Sequence, residues 1–503
     1  MKALLTTMVL LIATTLSSLA QFTLKGKILN AGKPDTLYLN IPLVYGYYND
    51  NTMKVPVNSS GLFNTTIQLP EQKFATLEYK GHEHTLLLTP GKALNLVFNT
   101  DTMLNNFKGT AAPENQLMYR LHLNEIPFFG KQSREHNPYT KLSHTGLQDS
   151  VIKPWMAIRD QRLATVRTAA ISNYDKRLIA QEVKADAITQ LSSFARGIIE
   201  MNKRELINTM INDIYKNVSV KPDILPAGPQ YYTFADSYIG YMEALAFTDM
   251  QKHNQVKNSK MPLKFYNISL DSANVLAKTK GKMFINWLAI RNNYDKRVAE
   301  AMLAQAIAVQ CDEKDLTHAR PLMQELEVWC PESRYKPMLT AKINHMEAAL
   351  AANQNNQAIK IANGYDKLTS IYQIISQLKG KVVYLDIWGT WCPSCRDELR
   401  FIPQLKQHFA GKEVVFVYLD MDDDDQDNHW RNFIKINNMA GLHLRKSNKN
   451  IQSIWEELQP LKDKRGLYPT YFIFDKGGKL VTVDAKYPSA QTELYQQIEK
   501  YLE

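Results

Sequence analysis

Two cysteines separated by two residues, Cys392 and Cys395, are the side chains whose type and spacing point most directly to chemistry. Such a pair closes a small disulfide ring, which more often exchanges disulfides than staples a fold. The apolar run at 382–387, bounded by Gly380 and Gly389, predicts a strand buried on both faces. The cysteine pair therefore follows directly after a predicted central strand.

The residues after the pair change to helical spacing. Four apolar residues recur at intervals of three, three and four: Leu399, Ile402, Leu405 and Phe409. The cysteines are thus predicted to lie where a strand becomes a helix. The unpaired N–H groups and the positive end of the dipole at a helix start favour a thiolate. We therefore predict that Cys392 is the nucleophile.

The 503 residues are 45% hydrophobic and can bury several cores. At about 150 residues per domain, roughly three domains are expected. Residues 1–20 predict a secretory signal peptide: Lys2 is followed by an apolar stretch and by a small-residue cleavage site ending at Ala20. A single N-terminal membrane anchor is the alternative. No later stretch approaches 18 apolar residues, so we expect an exported protein without stable membrane insertion.

The charge pattern argues against nucleic-acid binding. The chain has 60 Lys and Arg against 50 Asp and Glu, a formal net charge of +10, but this excess is spread thinly. No cluster of basic residues alternates with aromatic residues as a nucleic-acid site requires. The sequence also contains no P-loop, dinucleotide-binding or zinc-protease motif, and we expect no bound cofactor and no metal.

Residues 21–110 predict a small β-sandwich-like domain. Short apolar runs at regular spacing are separated by Gly, Pro and Asn turns, at 22–29, 36–39, 63–69, 76–79, 85–88 and 94–98. His82 and His84 would share one strand face and could hold a metal. No third ligand is evident nearby, so an exposed strand face is the favoured interpretation.

Residues 111–360 predict an all-α domain, because the apolar period becomes helical. The clearest series is Ile179, Val183, Ala187, Leu191, Phe194 and Ile198. Aromatic residues at helical spacing are interpreted as core, with a binding groove as the alternative: Trp155, Tyr231, Tyr232, Phe234 and Trp287. Cys311 and Cys330 would be separated by a helix of about 22 Å. Since a disulfide needs Cα atoms within about 7 Å, buried thiols are favoured over a bridge.

Residues 361–503 predict an α/β domain. Strands are predicted at 382–387, 414–419, 470–474 and 480–483, and helices at 430–436, 450–458 and after Leu494. This alternation gives a central sheet covered by helices. The acidic residues Asp420, Asp422 to Asp425 and Asp427 lack the spacing of a calcium loop, so a solvated acidic loop is favoured over an ion site.

From about residue 365 onward the sequence resembles the thioredoxin fold, and within it the TlpA-like family of extracytoplasmic thiol-disulfide oxidoreductases. Residues 391–395 resemble the Trp-Cys-x-x-Cys active site of that family, and Arg396 with Glu398 resembles the charged start of its helix. Asp386 stands where thioredoxins carry a buried acid. Tyr468-Pro469-Thr470 is similar to the loop that carries the cis-proline of the fold. More faintly, residues 87–91 and 107–110 resemble a small β domain that precedes such domains in exported bacterial proteins.

The resemblance agrees with a mechanism read from the residues. The Cys392 thiolate would attack a disulfide of a protein substrate, and Cys395 would resolve the mixed disulfide. Asp386, an acid within an apolar strand, is the candidate proton acceptor for Cys395, with a merely structural buried acid as the alternative. The family implies a periplasmic reductase that draws electrons from a membrane donor.

Three more residues are predicted to bind substrate or cover the pair. A cis Pro469 would leave the backbone of Tyr468 free to pair with an extended substrate segment. Trp391 would cover one side of the dithiol, with plain packing as the alternative. Glu398 is assigned a supporting role at the start of the helix.

Two departures from the family pattern leave the direction of electron flow open. The helix proline expected eight residues after the first cysteine is replaced by Arg400, and Pro403 follows one turn later. The dipeptide Pro393-Ser394 also differs from the Gly-Pro of thioredoxin, and these residues tune the reduction potential. An oxidase or isomerase is therefore the alternative enzyme. A binding module with a vestigial redox domain is the alternative from another class, because residues 21–360 precede the redox domain.

Overall fold

The structure is a computed structural model that describes residues 21–31, 33–48, 51–99, 106–123, 125–199, 202–252, 260 and 262–503. The predicted signal peptide, residues 1–20, lies outside these described residues. The chain forms two compact units, Met1–Asn274 with Asn286–Met302 and Val275–Ile285 with Leu303–Glu503. The chain passes between the units at three points, which fall within the helices Leu270–Lys280, Lys282–Asn293 and Lys296–Asp312. The predicted domain boundaries at residues 110 and 360 stay predictions.

The first unit begins with two four-stranded sheets. Their strands are β1 Gln21–Leu29, β2 Asp35–Asn40, β3 Thr52–Val57, β4 Leu62–Gln68, β5 Lys73–Tyr79, β6 His82–Leu88, β7 Ala93–Asn99 and β8 Asn106–Lys108. The strand orders are β4-β1-β7-β8 and β3-β2-β5-β6. The inner faces of both sheets contribute to one hydrophobic core, which confirms the predicted sandwich-like domain.

Strand β1 shows why these residues form such a sheet. Phe22, Leu24 and Ile28 are buried while the lysines between them face solvent, which is the alternation of a strand with one face on a core. At Gly26 an added Cβ would lie 2.0 Å from the carbonyl oxygen of Leu96 on β7. Only glycine allows these two strands to approach so closely.

Helices form most of the rest of the first unit. They are α1 Ala112–Leu121, α2 His144–Leu147, α3 Lys153–Thr168, α4 Asn173–Gly197, α5 Arg204–Tyr215 and α6 Pro229–Lys252. Helices α7 Leu270–Lys280, α8 Lys282–Asn293 and α9 Lys296–Asp312 belong partly to each unit. A short hairpin precedes α7, formed by β9 Pro262–Leu263 and β10 Ile268–Ser269.

Helix α4 confirms the predicted helical periodicity. Its buried apolar positions include five of the six residues of the sequence series: Ile179, Val183, Ala187, Leu191 and Phe194. The sixth, Ile198, lies just after the end of the helix and is partly buried. The helix begins after Ser172, whose Oγ accepts the backbone N–H of Asp175 and so caps the first turn. The aromatic residues named above as core, from Trp155 to Trp287, are all buried, which confirms that interpretation.

The second unit contains a six-stranded sheet covered by helices. The strands are β11 Ile359–Ile361, β12 Val382–Trp388, β13 Val414–Asp420, β14 Gly441–Arg445, β15 Thr470–Phe474 and β16 Leu480–Val483. The helices are α10 Leu316–Trp329, α11 Lys336–Ala352, α12 Tyr372–Ile375, α13 Pro393–Glu398, α14 Ile402–His408, α15 Asp427–Ile436, α16 Gln452–Leu458 and α17 Thr492–Glu499. The strand order is β11-β14-β13-β12-β15-β16.

Strand β12 lies in the middle of this sheet and positions the cysteine pair. It runs parallel to β13 and antiparallel to β15, and all seven of its residues are buried. Val383, Leu385 and Ile387 enter a core on one face, while Val382 and Tyr384 enter a core on the other. The predicted strand buried on both faces is therefore confirmed.

The helix that follows the cysteines is broken before Pro403. Helix α13 ends at Glu398, a 3-10 turn occupies Leu399–Phe401, and α14 begins at Ile402 with Pro403 in its first turn. Proline lacks the N–H of a helix interior and its ring clashes with the carbonyl four residues earlier, here that of Leu399. The shifted proline therefore moves the irregularity to Leu399–Phe401.

Cys311, in α9, and Cys330, after α10, are both buried cysteines in the thiol state, as the sequence predicts. Burial raises the pKa of Cys311 to about 12, so it stays protonated and unreactive at neutral pH. Within the described part of the chain, no helix is both long and apolar enough to span a membrane.

Candidate active site

The cysteine pair lies at the junction of β12 and α13. Cys392 precedes the helix and Cys395 is in its first turn; their sulfurs form a disulfide with a Cα–Cα distance of 5.3 Å. The backbone N–H of Cys395 donates to Cys392 Sγ at 3.2 Å. An N–H aimed at this sulfur stabilises negative charge on it. After reduction, the local geometry therefore favours Cys392 as the thiolate.

The loop before β15 lies beside the pair. The Tyr468–Pro469 peptide bond is cis. The Tyr468 ring packs edge-on against Trp391 at a centroid distance of 5.3 Å, and Ser394 Oγ donates to the Tyr468 carbonyl at 3.3 Å. Trp391 is 51% exposed, whereas Cys392 and Cys395 are 3% and 2% exposed. The predicted substrate-binding residues thus come together next to the dithiol.

Asp386 is buried in the middle of β12, two residues before Trp388. Burial, and secondly the negative charge of Glu398, raise the pKa of the Asp386 carboxyl well above its ordinary value. Tyr418, which lies opposite Asp386 in the strand register, belongs to the same buried cluster as both cysteines. Glu398 accepts the backbone N–H of Ser489 at 2.8 Å.

Residues 380–480 match the family model described as thioredoxin-like. This part of the chain is a thioredoxin-like domain. The match begins just before β12 and ends at the start of β16, so it contains Asp386, both cysteines and the Tyr468–Pro469 loop. The predicted thioredoxin fold is confirmed for the C-terminal part of the chain.

Sequence relatives of the thioredoxin-like domain are thiol-disulfide oxidoreductases. The chain is 32% identical over 130 residues to thiol-disulfide oxidoreductase ResA of Bacillus cereus, covering 26% of this chain and 66% of that protein. It is 28% identical over 109 residues to ResA of Bacillus subtilis, covering 22% of this chain and 55% of that protein. The chain therefore spans a little more than half to about two thirds of the length of these relatives.

Among solved structures, that of a thiol:disulfide interchange protein of the thioredoxin family from Chlorobium tepidum is similar to part of this chain. It is 19% identical, covers 25% of this chain and 84% of that protein, and has a TM-score of 0.22.

The thioredoxin-like domain also contains a polar clamp that the sequence analysis missed. Thr390 donates through its backbone N–H and its hydroxyl to Asp422, at 3.0 and 2.5 Å. Arg396 donates to the Thr390 carbonyl at 2.7 Å, and its guanidinium lies 3.5 Å from the carboxylate of Glu313, the residue that follows α9. The turn at Thr390, just before Trp391 and Cys392, is therefore fixed by two contacts, one with Asp422 and one with Arg396. In the sequence, the sign of these contacts was Arg396, a charged residue directly after the cysteine pair.

The prediction of a solvated acidic loop is wrong for Asp420 and Asp422. Asp420 and Asp422 are buried, and their burial raises the pKa of both carboxyls. Asp420 ends β13 with its side chain inside, and Asp422 accepts both donors of Thr390. Only the residues Asp423 to Asp425 are exposed as predicted.

The other candidate ligands are not gathered into a site. His82 is exposed and His84 packs near Tyr119, with ring centroids 5.6 Å apart. Burial lowers the pKa of His84 to about 4, so it is neutral at physiological pH. Among the residues described, no group of three or more His, Cys, Asp or Glu side chains is arranged to hold a metal ion.

Proposed function

We propose that this protein is an exported thiol-disulfide oxidoreductase of the periplasm that reduces disulfides in protein substrates. The observation that carries the proposal is the Cys392–Cys395 disulfide at the start of α13, with the Cys395 N–H on Cys392 Sγ. The similarity of the thioredoxin-like domain to ResA proteins supports the same chemistry. The predicted signal peptide supports export.

The reaction begins with both cysteines reduced. The Cys392 thiolate attacks one sulfur of a substrate disulfide, so that a Cys392–substrate bond forms and the substrate's other sulfur leaves as a thiolate. The Cys395 thiolate then attacks Cys392 Sγ and displaces the substrate's second sulfur. The substrate gains two electrons and two protons, and the protein is left as the observed disulfide. A dithiol donor must reduce it again; the family resemblance suggests a membrane protein.

Asp386 is the proposed proton acceptor for Cys395. Its raised pKa allows a carboxyl to exchange protons nearer neutrality than an exposed acid does. Its position on β12 two residues before Trp388 places it on the face that Trp388 and both cysteines share. The nearby Glu398 supports this role. Its negative charge raises the pKa of Asp386, which makes the Asp386 carboxylate a stronger base.

The proposed substrate contact surface is formed by Trp391, Tyr468 and Pro469. Trp391 presents half of its indole to solvent beside the disulfide, and its contact with Tyr468 fixes the ring. A polypeptide lying across this loop would meet an apolar aromatic surface and backbone polar groups together. Such a combination binds extended segments without requiring one sequence.

A redox titration tests the proposal. The mature protein is equilibrated with dithiothreitol and glutathione mixtures, quenched with acid and then alkylated after denaturation. We expect one disulfide, between Cys392 and Cys395, to open and close reversibly, while Cys311 and Cys330 are alkylated as thiols in every mixture. The midpoint gives the potential, and a value near that of thioredoxin, about −270 mV, supports the reductase. A pair that neither opens nor closes would refute the proposal.

Trp391→Ala tests the contact surface. We expect the KM for a protein substrate to rise about tenfold, because an exposed aromatic contact contributes about 1–2 kcal/mol to binding. The rate with a small disulfide should change little, and the free energy of unfolding should stay within about 0.5 kcal/mol. Tyr372→Ala is the matched control, since Tyr372 is also a partly exposed aromatic residue of the second unit. Equal KM values in both variants would contradict the assignment.

A further inference from the structure

A row of polar side chains crosses the central sheet of the second unit at one level. Asp386 on β12 lies opposite Tyr418 on β13 and opposite Tyr471 on β15 in the strand register. Residues paired in this way carry their side chains on the same face, with Cβ atoms about 4.5–5.5 Å apart. We refer to Asp386, Tyr418 and Tyr471 as the carboxyl–tyrosine row.

The row is buried, and three of its polar atoms have no hydrogen-bond partner within the described part of the chain. Asp386, Tyr418 and Tyr471 are at most 3% exposed. Among the residues that the structure describes, none forms a hydrogen bond with Asp386 Oδ1 or with the hydroxyl oxygen of either tyrosine. A buried polar group without a partner costs about 1–3 kcal/mol. One bound water among the three groups would give each of them a hydrogen-bond partner and so remove that cost.

The row adjoins the cysteine pair. Tyr418 belongs to the buried cluster that contains Cys392, Cys395 and Trp388. Burial first, and then the negative charge of Asp386, raise the pKa of Tyr418 and of Tyr471 well above the ordinary value. Both hydroxyls therefore keep their protons at neutral pH and can act as donors to a carboxylate.

We propose that Tyr418 and Tyr471 are positioning residues for Asp386, whose carboxylate they hydrogen-bond through bound water while it accepts the proton of Cys395. This inference rests on the proposed function. The S–H bond of Cys395 breaks and an O–H bond forms on Asp386. The new thiolate attacks Cys392 Sγ, the mixed disulfide bond breaks, and the departing substrate thiolate takes up a proton. No electrons beyond those of the exchange are needed.

Other titratable groups face the row from the surrounding elements. Glu398 of α13 adds negative charge near Asp386. Lys406 of α14 lies 5.1 Å from the Tyr418 ring, and burial lowers its pKa to about 8. His443 of β14 stacks on Tyr418 at 4.9 Å, and burial lowers its pKa to about 4. Each of these side chains forms a hydrogen bond with a backbone group. Glu398 accepts the N–H of Ser489, Lys406 donates to the carbonyl of Ala440, and His443 donates to the carbonyl of Met439.

Phenylalanine substitutions test the row because they remove only a hydroxyl. A hydrogen-bond donor to a carboxylate favours the ionised form, so its loss raises the pKa of that carboxyl further. In Tyr418→Phe and in Tyr471→Phe we expect the acidic limb of the pH profile for release of the mixed disulfide to move up by about one pH unit. Below that limb the rate falls about tenfold. Stopped-flow release of a fluorescent disulfide substrate measures this step.

Tyr384→Phe is the matched control. Tyr384 lies on the same face, stacks on Tyr471 at 5.2 Å and is equally buried, but its hydroxyl donates to the Lys486 carbonyl instead. A shift in the two row variants that is absent in the control supports the proposal. Unmoved limbs, or the same shift in all three variants, would overturn it.

A second comparison keeps the test decisive if one variant folds poorly. In an Asp386→Asn background the row has no carboxylate to assist, so Tyr471→Phe should leave the pH profile unchanged; a remaining shift would overturn the proposal. The wild-type protein separates the two levels of inference. If it fails to reduce disulfides, the proposed function is wrong and the row proposal falls with it. Normal turnover with unmoved limbs overturns the row alone.

Discussion

Replacing Cys392 by serine is expected to lower kcat/KM for reduction of a protein disulfide by at least about 10³-fold. The thiolate is the attacking group, and a serine hydroxyl stays protonated at neutral pH and cannot replace it. The structure supports this choice because the Cys395 N–H points at Cys392 Sγ. Insulin reduction with dithiothreitol, followed by turbidity, measures the loss. Equal rates in the variant and the wild type would favour a binding module.

Replacing Cys395 by serine should give a different result. Attack by Cys392 can still occur, but no second thiol is available to displace the substrate, so a disulfide-linked adduct accumulates. Non-reducing electrophoresis and mass spectrometry of the adduct identify both the attacking cysteine and the substrate. Cys311→Ala is the control, since that thiol is buried and protonated. Failure of Cys395→Ser to form adducts would contradict the assignment of Cys392 as the attacking thiol.

Elements with strong apolar patterns were predictable from the sequence, and weaker ones were not. Strand β12 is uninterrupted apart from Asp386, and α4 keeps its helical period over 25 residues. Strand β14 is not predicted by the sequence pattern, because its five residues include the buried polar side chains of His443 and Arg445, which interrupt the apolar run. Strand β3 contains Pro56, which is tolerated because β3 lies at a sheet edge.

In the site, contacts between residues close in the sequence could be predicted, whereas contacts between residues far apart in the sequence could not. Cys392 and Cys395 are three positions apart, so their proximity is contained in the sequence. Thr390 and Asp422 are brought together only by the pairing of β12 with β13, and strand register is not encoded in a short motif. For that reason Asp422 could not be distinguished from the solvated acids that follow it.

The carboxyl–tyrosine row depends on register as well. Tyr418 and Tyr471 look like ordinary apolar strand residues until the sheet places both of them opposite Asp386. A single buried acid in a strand predicts a raised pKa, which the structure confirms. The groups that could moderate this pKa come from two other strands, so the sequence alone could not indicate them.

Asp386→Asn is expected to stabilise the protein at neutral pH while slowing catalysis. Burial raises the folded-state pKa of Asp386, so between its unfolded and folded pKa values the folded protein binds more protons. The free energy of unfolding therefore falls as the pH rises through that interval, by about 1.4 kcal/mol per pH unit. Asparagine carries no charge and avoids this loss. The two proteins should be equally stable only below about pH 3.9, the ordinary carboxyl pKa.

The activity of Asp386→Asn should move in the opposite direction. Without a proton acceptor, Cys395 ionises slowly, and we expect release of the mixed disulfide to slow about 100-fold at pH 7. Urea unfolding of the oxidised protein from pH 3.5 to 8 and single-turnover release measure the two effects. Asp423→Asn, at an exposed acid, should change neither. A variant with wild-type release and a higher free energy of unfolding would make Asp386 a structural acid. Loss of both stability and rate would contradict the raised pKa from which the expectation is derived.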